Sequence, residues 1–267
     1  MGHLLYIEWL KIKNYRTFWI LFTLFAISMF GICSLWWYFD VYTKESGDMA
    51  MQTAGSFIFG SFRFPGVFNT LTQISSWLLY FPGFIIIFLT TNEYTYRTHR
   101  QNIIDGIDRK DFIKAKILLA FILAFLCTII VSICAVIFGL MSGSGYYTHD
   151  ILISVFYFFI QSCIYILFAL FLALLVRRSA LAIGIYFIYG ILLDYLIAMA
   201  ISKYTNSTIG FYLMPLQVSD QLLPNKISSK VVEMLGDFKT NIALIISLAW
   251  IVFYCIFPVK KFQKEDL

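Results

Sequence analysis

The chain has 267 residues, of which 60% are apolar and 13% are charged, and its formal net charge is +5. Soluble domains carry about twice that share of charged residues. The composition therefore excludes an ordinary soluble protein. The apolar residues also fall in long blocks of about 20 residues, the length that an α-helix needs to cross a bilayer, so the sequence predicts an integral membrane protein.

The first element in chain order is a moderately amphipathic segment over residues 1–16. It places apolar side chains such as Leu5 and Trp9 among charged ones such as Glu8 and Lys11. This pattern is typical of a helix that lies in the membrane interface. Residues 1–16 are therefore predicted to form an amphipathic interfacial helix.

Six apolar segments follow, and each is predicted to form one transmembrane helix of a single all-α domain. The second contains Pro82 and Gly83 near its middle, and a proline there removes a backbone donor and kinks the helix. Outer loops are predicted over residues 40–70 and 202–240, and the second of them, which contains two prolines, receives no further assignment. The predicted spans cover about residues 17–39, 71–91, 117–140, 151–176, 180–201 and 241–257.

Lysine and arginine residues are distributed unevenly between the two sides of this topology. If the amino terminus lies in the cytosol, the inner segments hold fourteen of the twenty basic residues. Basic residues in short loops are retained on the cytoplasmic side, so both termini are predicted to be cytosolic. The basic excess is then a topology signal, and no nucleic-acid partner is expected.

The predicted spans contain few polar groups that could support catalysis or metal binding. The three histidines, His3, His99 and His149, lie outside the spans, so neither an intramembrane serine–histidine pair nor a histidine metal site can be built. None of the fifteen glycines precedes a lysine, so the chain lacks the phosphate loop of nucleotide hydrolases. We therefore expect no enzyme activity, no metal and no cofactor in this chain.

Asp194 is the one ionisable residue within a predicted span. It shares a helix face with Gly190 and Ala198, which directs it toward a neighbouring helix. A carboxylate at that depth is costly unless it is hydrogen-bonded, protonated or hydrated. Two interpretations stay open: Asp194 lines a substrate path, or it packs one helix against another through a bond to a tyrosine or serine.

The charged stretch over residues 92–116, between spans two and three, is the most informative part of the sequence. It is too charged to enter the membrane, and its pattern predicts a short helix that stops at Asp105 and Gly106. Asp108 is placed to cap the next helix. A loop with apolar anchors inside a charged rim suits docking to a cytosolic partner.

The same loop resembles the cytosolic motif of type-2 ABC transporter permeases. That motif has an acidic residue, a Gly-Thr pair, a later polar-Arg pair and a lysine at the start of the third span, and Arg97 stands where the family has glycine. The resemblance extends to the amphipathic start, the six spans and the kinked second span. The coupling residues it implies are Glu93, Arg97, Thr98, Arg100, Ile103, Ile104, Asp108, Arg109, Phe112 and Lys116.

The resemblance implies the permease subunit of an ABC exporter in the bacterial cytoplasmic membrane, with a hydrophobic or amphipathic cargo. A separate cytosolic ATPase dimer would bind ATP and Mg²⁺ and would receive a coupling helix from the loop. A second permease copy or a homologue, surrounded by membrane lipids, would complete the channel. The alternatives are a secondary transporter or channel without ATP coupling, which would need several ion-binding groups or repeated halves, and a membrane scaffold or assembly protein.

Overall fold

The computed structural model is helical and has six helices long and apolar enough to cross a membrane. It describes residues 2–45, 64, 66–98, 101, 108–142, 149–223, 232 and 236–264. No strand occurs in these ranges. The all-α membrane fold that the sequence predicts is confirmed.

The helices follow one another along the chain with two irregular turns inside spans. A 3-10 turn, Trp77–Leu79, interrupts span two, and a π-helical turn, Tyr189–Leu193, interrupts span five. Within the described ranges the helices are α1 (Gly2–Lys13), α2 (Arg16–Glu45), α3 (Gly66–Ser76), α4 (Tyr80–Thr95), α5 (Arg109–Met141), α6 (His149–Val176), α7 (Ser179–Ile188), α8 (Asp194–Thr205), α9 (Ile209–Leu213), α10 (Pro215–Asp220) and α11 (Thr240–Lys264). The six spans are α2, α3 with α4, α5, α6, α7 with α8, and α11.

Spans two and four form the centre of the bundle. In their most apolar stretches 67% and 78% of the residues are buried, against 17–22% in spans one, five and six. A helix that is apolar on all sides but buried on only one must face lipid or another protein with the rest of its surface. Spans one, five and six therefore form an apolar periphery around the centre.

Contacts between helix ends place both ends of the described chain at the same end of the bundle. Glu8 of α1 bonds to Lys116 near the start of span three. Phe262 near the end of α11 stacks on Phe112, one turn before Lys116. We call this the terminal end of the bundle and the opposite one the distal end.

Span two is interrupted beside the proline that the sequence singled out. Pro82 is the third residue of α4, and it has no N–H to donate to the carbonyl of Leu78, four residues earlier. Leu78 lies inside the 3-10 turn Trp77–Leu79. The irregular turn is therefore the expected consequence of Pro82, displaced by about one turn toward the distal end.

Two tyrosines lock spans two and five together, each lying on a glycine of the other span. A Cβ atom on Gly83 would lie 2.4 Å from the hydroxyl of Tyr186, and one on Gly190 would lie 2.6 Å from the hydroxyl of Tyr80. The two rings contact each other edge to face, with centroids 5.5 Å apart. Small residues allow this close approach, as they commonly do between membrane helices.

Replacing Gly83 with alanine should destabilise this contact. The fully buried ring of Tyr186 has little room to move away from the new methyl group, so we expect a loss of about 1–3 kcal/mol, as for other overpacked sites. The thermal unfolding midpoint of the purified protein in lipid nanodiscs measures the effect. The control is Gly184→Ala in span five, where no described atom lies within 4 Å of the added Cβ atom, and it should leave the midpoint unchanged. Equal midpoints for both variants would contradict the assigned packing.

Candidate functional site

Four charged side chains at the terminal end form what we call the ion cluster. The ammonium group of Lys116 lies 2.6 Å from a carboxylate oxygen of Glu8 and 2.6 Å from one of Glu93. Lys11 lies 3.0 Å from Glu8 and 2.9 Å from Glu93. The cluster therefore joins α1, the end of span two and the start of span three, and it is neutral when all four groups are ionised.

Burial makes this pairing obligatory. Lys116 is 1% exposed, and Glu8 and Glu93 are almost as inaccessible. An unpaired charge at such a depth costs several kcal/mol. Burial alone would raise the pKa of Glu8, but the positive charges of Lys116 and Lys11 outweigh it and hold that pKa below its ordinary value. Glu8 is therefore ionised at neutral pH.

The ion cluster fixes both flanks of the loop between spans two and three. The bond between Lys116 and Glu93 connects the two sides of the loop directly, and α1 bonds to both. Beside the cluster, Phe112 stacks on Phe262 of α11 with ring centroids 5.8 Å apart. A displacement of either flank would therefore have to move α1 and α11 as well.

Three of the sequence-predicted coupling residues come together at the ion cluster. Glu93 and Lys116 belong to it, and Phe112 lies against Lys116, whose ammonium group is 5.5 Å from the ring centre. Thr98 lies close by, with its hydroxyl 3.5 Å from the backbone carbonyl oxygen of Glu93. Part of the motif that the loop resembles thus maps onto residues that are neighbours in space, although their role in coupling stays a prediction.

Arg97 adopts a backbone conformation that favours glycine. It follows the last turn of span two with φ 57°, in the left-handed region where a Cβ atom is crowded. The motif that the loop resembles has glycine at this position. The geometry gives a physical reason for that glycine, because the chain has to turn left-handed to leave the helix.

The remaining predicted coupling residues lie at the end of the loop or outside the described ranges. Asp108 is exposed at the N-cap position of α5, with Asp111 in the first turn, but its side chain makes no capping hydrogen bond to the described residues. Arg109 is the first residue of α5. The residues outside the described ranges are Arg100, Ile103 and Ile104, together with the predicted stop at Asp105 and Gly106.

Sequence reasoning missed the role of Glu8 and Lys11, which it assigned only to an amphipathic helix. Their spacing of three residues indicates a local ion pair on one helix face. No local pattern links this pair to Glu93, which is more than eighty residues away in the chain. The link exists only after α1 has packed beside spans two and three.

A second group of polar residues, the acidic cluster, lies inside the bundle. Asp220 accepts a hydrogen bond from the amide of Gln161 at 2.7 Å and another from the hydroxyl of Tyr165 at 2.9 Å. Asp194 accepts one from the backbone N–H of Gln217 at 2.7 Å. These bonds attach α10 to both span four and span five.

Asp194 caps the amino-terminal end of α10, whose own N-cap residue provides no side-chain cap. Pro215 suits the first position of that helix because its φ is already helical, but the side chain of Met214 at the N-cap makes no hydrogen bond to the helix. The carboxylate of Asp194 reaches across from span five and accepts the N–H of Gln217, which lies in the first turn and has no partner within the helix. Asp194 is thus a packing acid that accepts a backbone N–H and also interacts with the side chain of Tyr189, one of the residue types that the sequence suggested. A role in a substrate path stays a prediction.

The helix face predicted around Asp194 is buried as a unit. Gly190, Asp194 and Ala198 are all buried, even though the π-helical turn Tyr189–Leu193 lies between the first two. Such turns insert an extra residue and are frequent at functional sites. Asp220 gave no comparable signal, because it lies in the proline-containing segment over residues 202–240 that sequence reasoning could not assign.

A cavity of about 780 Å³ opens at the distal end, and we call it the vestibule. Asn69, Ser154 and Tyr157 line one side, and Gln221 lines another. Gln161 of the acidic cluster follows Tyr157 by four residues on α6, so it lies about one helical turn deeper. The vestibule therefore leads toward the acidic cluster.

The described residues offer no metal site in addition to these two clusters. No group of three or more histidine, cysteine, aspartate or glutamate side chains in the described ranges is arranged to hold a metal ion. The ion cluster contains only two carboxylates, and both are engaged by lysines. The chemistry that the two clusters can perform is charge pairing and proton binding.

Six apolar helices, with a charged link between the second and third spans held by buried ion pairs, define a multi-pass membrane protein. Comparison with known families identifies its class, because the family described as ABC-2 family transporter protein matches residues 4–193. The match covers more than half of the chain, so the protein belongs to the ABC-2 transporter family. It includes the whole ion cluster and ends one residue before Asp194. No curated protein matches the chain.

Removing the charge of Lys116 should destabilise the protein strongly. The substitution Lys116→Met leaves two buried carboxylates with Lys11 as their one partner in the ion cluster, and we expect a loss of about 3–5 kcal/mol. The thermal unfolding midpoint in lipid nanodiscs reports this loss. Lys114→Met is the matched control, because Lys114 makes an exposed pair with Asp111 that is worth about 0–1 kcal/mol. Similar midpoints for the two variants would show that the cluster does not stabilise the fold.

Acid should weaken the ion cluster through Glu8. Because the pKa of Glu8 is lower in the folded protein than its ordinary value of 4.5, the carboxylate adds stability above that value and loses it as the pH falls below. We expect the unfolding midpoint to drop between neutral pH and a pH just below 4.5, and to drop less in Glu8→Gln. The same drop in both proteins would contradict this assignment.

Proposed function

We propose that the chain is the membrane-spanning permease of an ATP-driven exporter. The fold and the family make it an ABC-2 membrane transport subunit. The ion cluster is the observation that supports coupling, because it holds both flanks of the loop between spans two and three in one buried network. A force applied to that loop by a docked partner would reach α1 and spans two and three through short, charged contacts.

In this proposal the terminal end faces the cytosol of a bacterial cell. Basic residues are concentrated there, among them Arg97, Arg177 and Lys260, as expected for the cytoplasmic side. The α1 helix would lie in the inner interface, which is supported by the exposed apolar side chains of Trp9 and Leu10 beside its charged residues. Both chain termini would then be cytosolic.

A cytosolic ATPase dimer and a second permease are the proposed partners. The ATPase would bind ATP and Mg²⁺ and dock at residues 92–116. A second copy or a homologue would pack on the apolar periphery, where spans one and five present wide surfaces. The exposed apolar side chains on these two spans include Ile20, Ile27, Leu35, Leu181, Ile185 and Ile188.

A hydrophobic or amphipathic cargo suits the surface near the terminal end. A groove of about 570 Å³ lies between spans three and six there, with apolar walls that include Leu118 and Phe121. Lys114 and Lys260 also line it. An amphipathic molecule could enter such a groove from the inner leaflet, with its apolar part against the walls and its polar part near the lysines.

The double substitution Ile103→Asp/Ile104→Asp tests the docking role of the loop. We expect the permease to insert in the membrane normally but to lose co-purification of its ATPase and stimulation of ATP hydrolysis, because two apolar anchors become charged. The matched control is Gln101→Asp/Asn102→Asp, which adds the same charge to the same loop without removing an apolar side chain. It should retain the complex.

Two results would contradict the proposal. One is retention of the ATPase and of transport in the isoleucine double variant. The other is a wild-type permease that co-purifies with no ATPase and carries a proton-dependent or sodium-dependent flux in proteoliposomes, which would favour a secondary transporter.

A further inference from the structure

The groove between spans three and six combines apolar walls with two lysine ammonium groups. Its volume of about 570 Å³ lies within the range of sites that bind small organic ligands, about 300–1,000 Å³. The described residues that line it all belong to α5 and α11. They are Lys114, Ile117, Leu118, Phe121, Cys255, Ile256, Val259 and Lys260.

Helix geometry separates the charged end of the groove from its apolar part. Lys114, Leu118 and Phe121 are three or four residues apart and therefore lie on one face of α5. At a rise of 1.5 Å per residue, Phe121 lies about 10 Å farther from the terminal end than Lys114. On α11, Lys260 is the lining residue nearest the terminal end, and Ile256 lies about one turn deeper. The groove thus has a cationic mouth and an apolar interior, as a site for an amphiphile requires.

The positive charge at the mouth exceeds the negative charge around it. Lys114 makes an exposed pair with Asp111 at 3.1 Å. Lys260 is exposed and makes no ion pair with any described residue. Lys110, four residues before Lys114, is also exposed on the same face of α5. Three lysines against one aspartate leave an excess of two positive charges, which favours an anionic ligand.

We propose that this groove binds one anionic phospholipid of the inner leaflet. Lys114 and Lys260 would hold the phosphate, since lysine binds phosphate as a point charge and lysines at the membrane surface attract anionic lipids. One acyl chain would lie along Leu118 and Phe121. The inference rests on the proposed function for the leaflet, because the terminal end is cytosolic there, and it names the class of amphiphile that the groove accepts.

A second copy of the permease fits this groove less well than a lipid. Two copies that met here about a twofold axis would present the same patch to each other. Their lysines would then face lysines, and like charges across an interface oppose binding. The permease contact proposed on spans one and five also leaves spans three and six open to the membrane. A phospholipid supplies both the negative charge and the apolar chain that the groove lacks.

Native mass spectrometry of the full-length permease, purified in detergent without an ATPase, tests the lysines. We expect phosphatidylglycerol to bind more tightly than phosphatidylcholine with the same acyl chains. Lys260→Gln should weaken phosphatidylglycerol binding about fivefold, and Lys114→Gln/Lys260→Gln on the order of 25-fold, because each lysine near an anionic headgroup contributes a similar factor. The matched control is Lys261→Gln on the same helix. Lys261 borders a depression of only about 10 Å³, so this variant should keep the wild-type affinity.

A second pair of variants tests the apolar part of the groove. Val259→Trp fills the space between α5 and α11 and should prevent phosphatidylglycerol from binding. Val252→Trp is the control, because Val252 lies about two turns away on α11, outside the groove, and is 54% exposed. It should bind the lipid as the wild type does.

Three results would overturn the lipid site. They are equal affinities for phosphatidylglycerol and phosphatidylcholine, equal losses in Lys260→Gln and Lys261→Gln, and displacement of the lipid by free glycerol phosphate, which would identify a site for soluble anions. The ATPase is absent from these measurements. Failure of lipid binding therefore leaves the proposed coupling role standing, and failure of ATPase docking leaves the lipid site standing.

Discussion

A lysine ammonium group removed from water has to be surrounded by negative charge, and much of this structure follows from how Lys116 meets that requirement. Glu8 and Glu93 supply the charge, and Lys11 balances the second carboxylate. Because Glu8 comes from α1 and Glu93 from span two, moving the amino-terminal helix elsewhere on the membrane surface would remove one of the two carboxylates that pair with Lys116. The buried charge of Lys116 thus helps to position α1 and holds together the two flanks of the loop between spans two and three.

The sequence predicts the six spans well because each crossing requires a long apolar segment, and this requirement is local. Pro82 is predictable for the same reason, since its missing N–H acts within one helical turn. The contacts that make the two clusters are not local. Glu8 and Glu93 pair with the same lysines, and Asp194 accepts the N–H of Gln217, only after separate helices have packed. Composition and spacing therefore reveal the individual residues but not their partners.

The segment between spans five and six shows most clearly what could not be predicted from the sequence. Two prolines and a mixed composition are typical of a loop at the surface, yet α10 lies against spans four and five and contributes Asp220 to the interior. Its backbone is stabilised there by Asp194, a residue that the sequence identified for a different reason. A polar residue deep in an apolar helix, such as Gln161, is the signal that a partner of this kind exists.

Tyr80 packs on Gly190 and Tyr186 packs on Gly83, and this pair of contacts limits how the two spans can move. Sliding span five along span two in either direction would drive one ring into the opposing backbone, whereas tilting about the crossing point keeps both rings on their glycines. The crossing therefore acts as a pivot near the middle of the two helices, beside the irregular turn at Trp77–Leu79. If the two helices tilt about such a pivot, their separation at one end of the bundle accompanies their approach at the other.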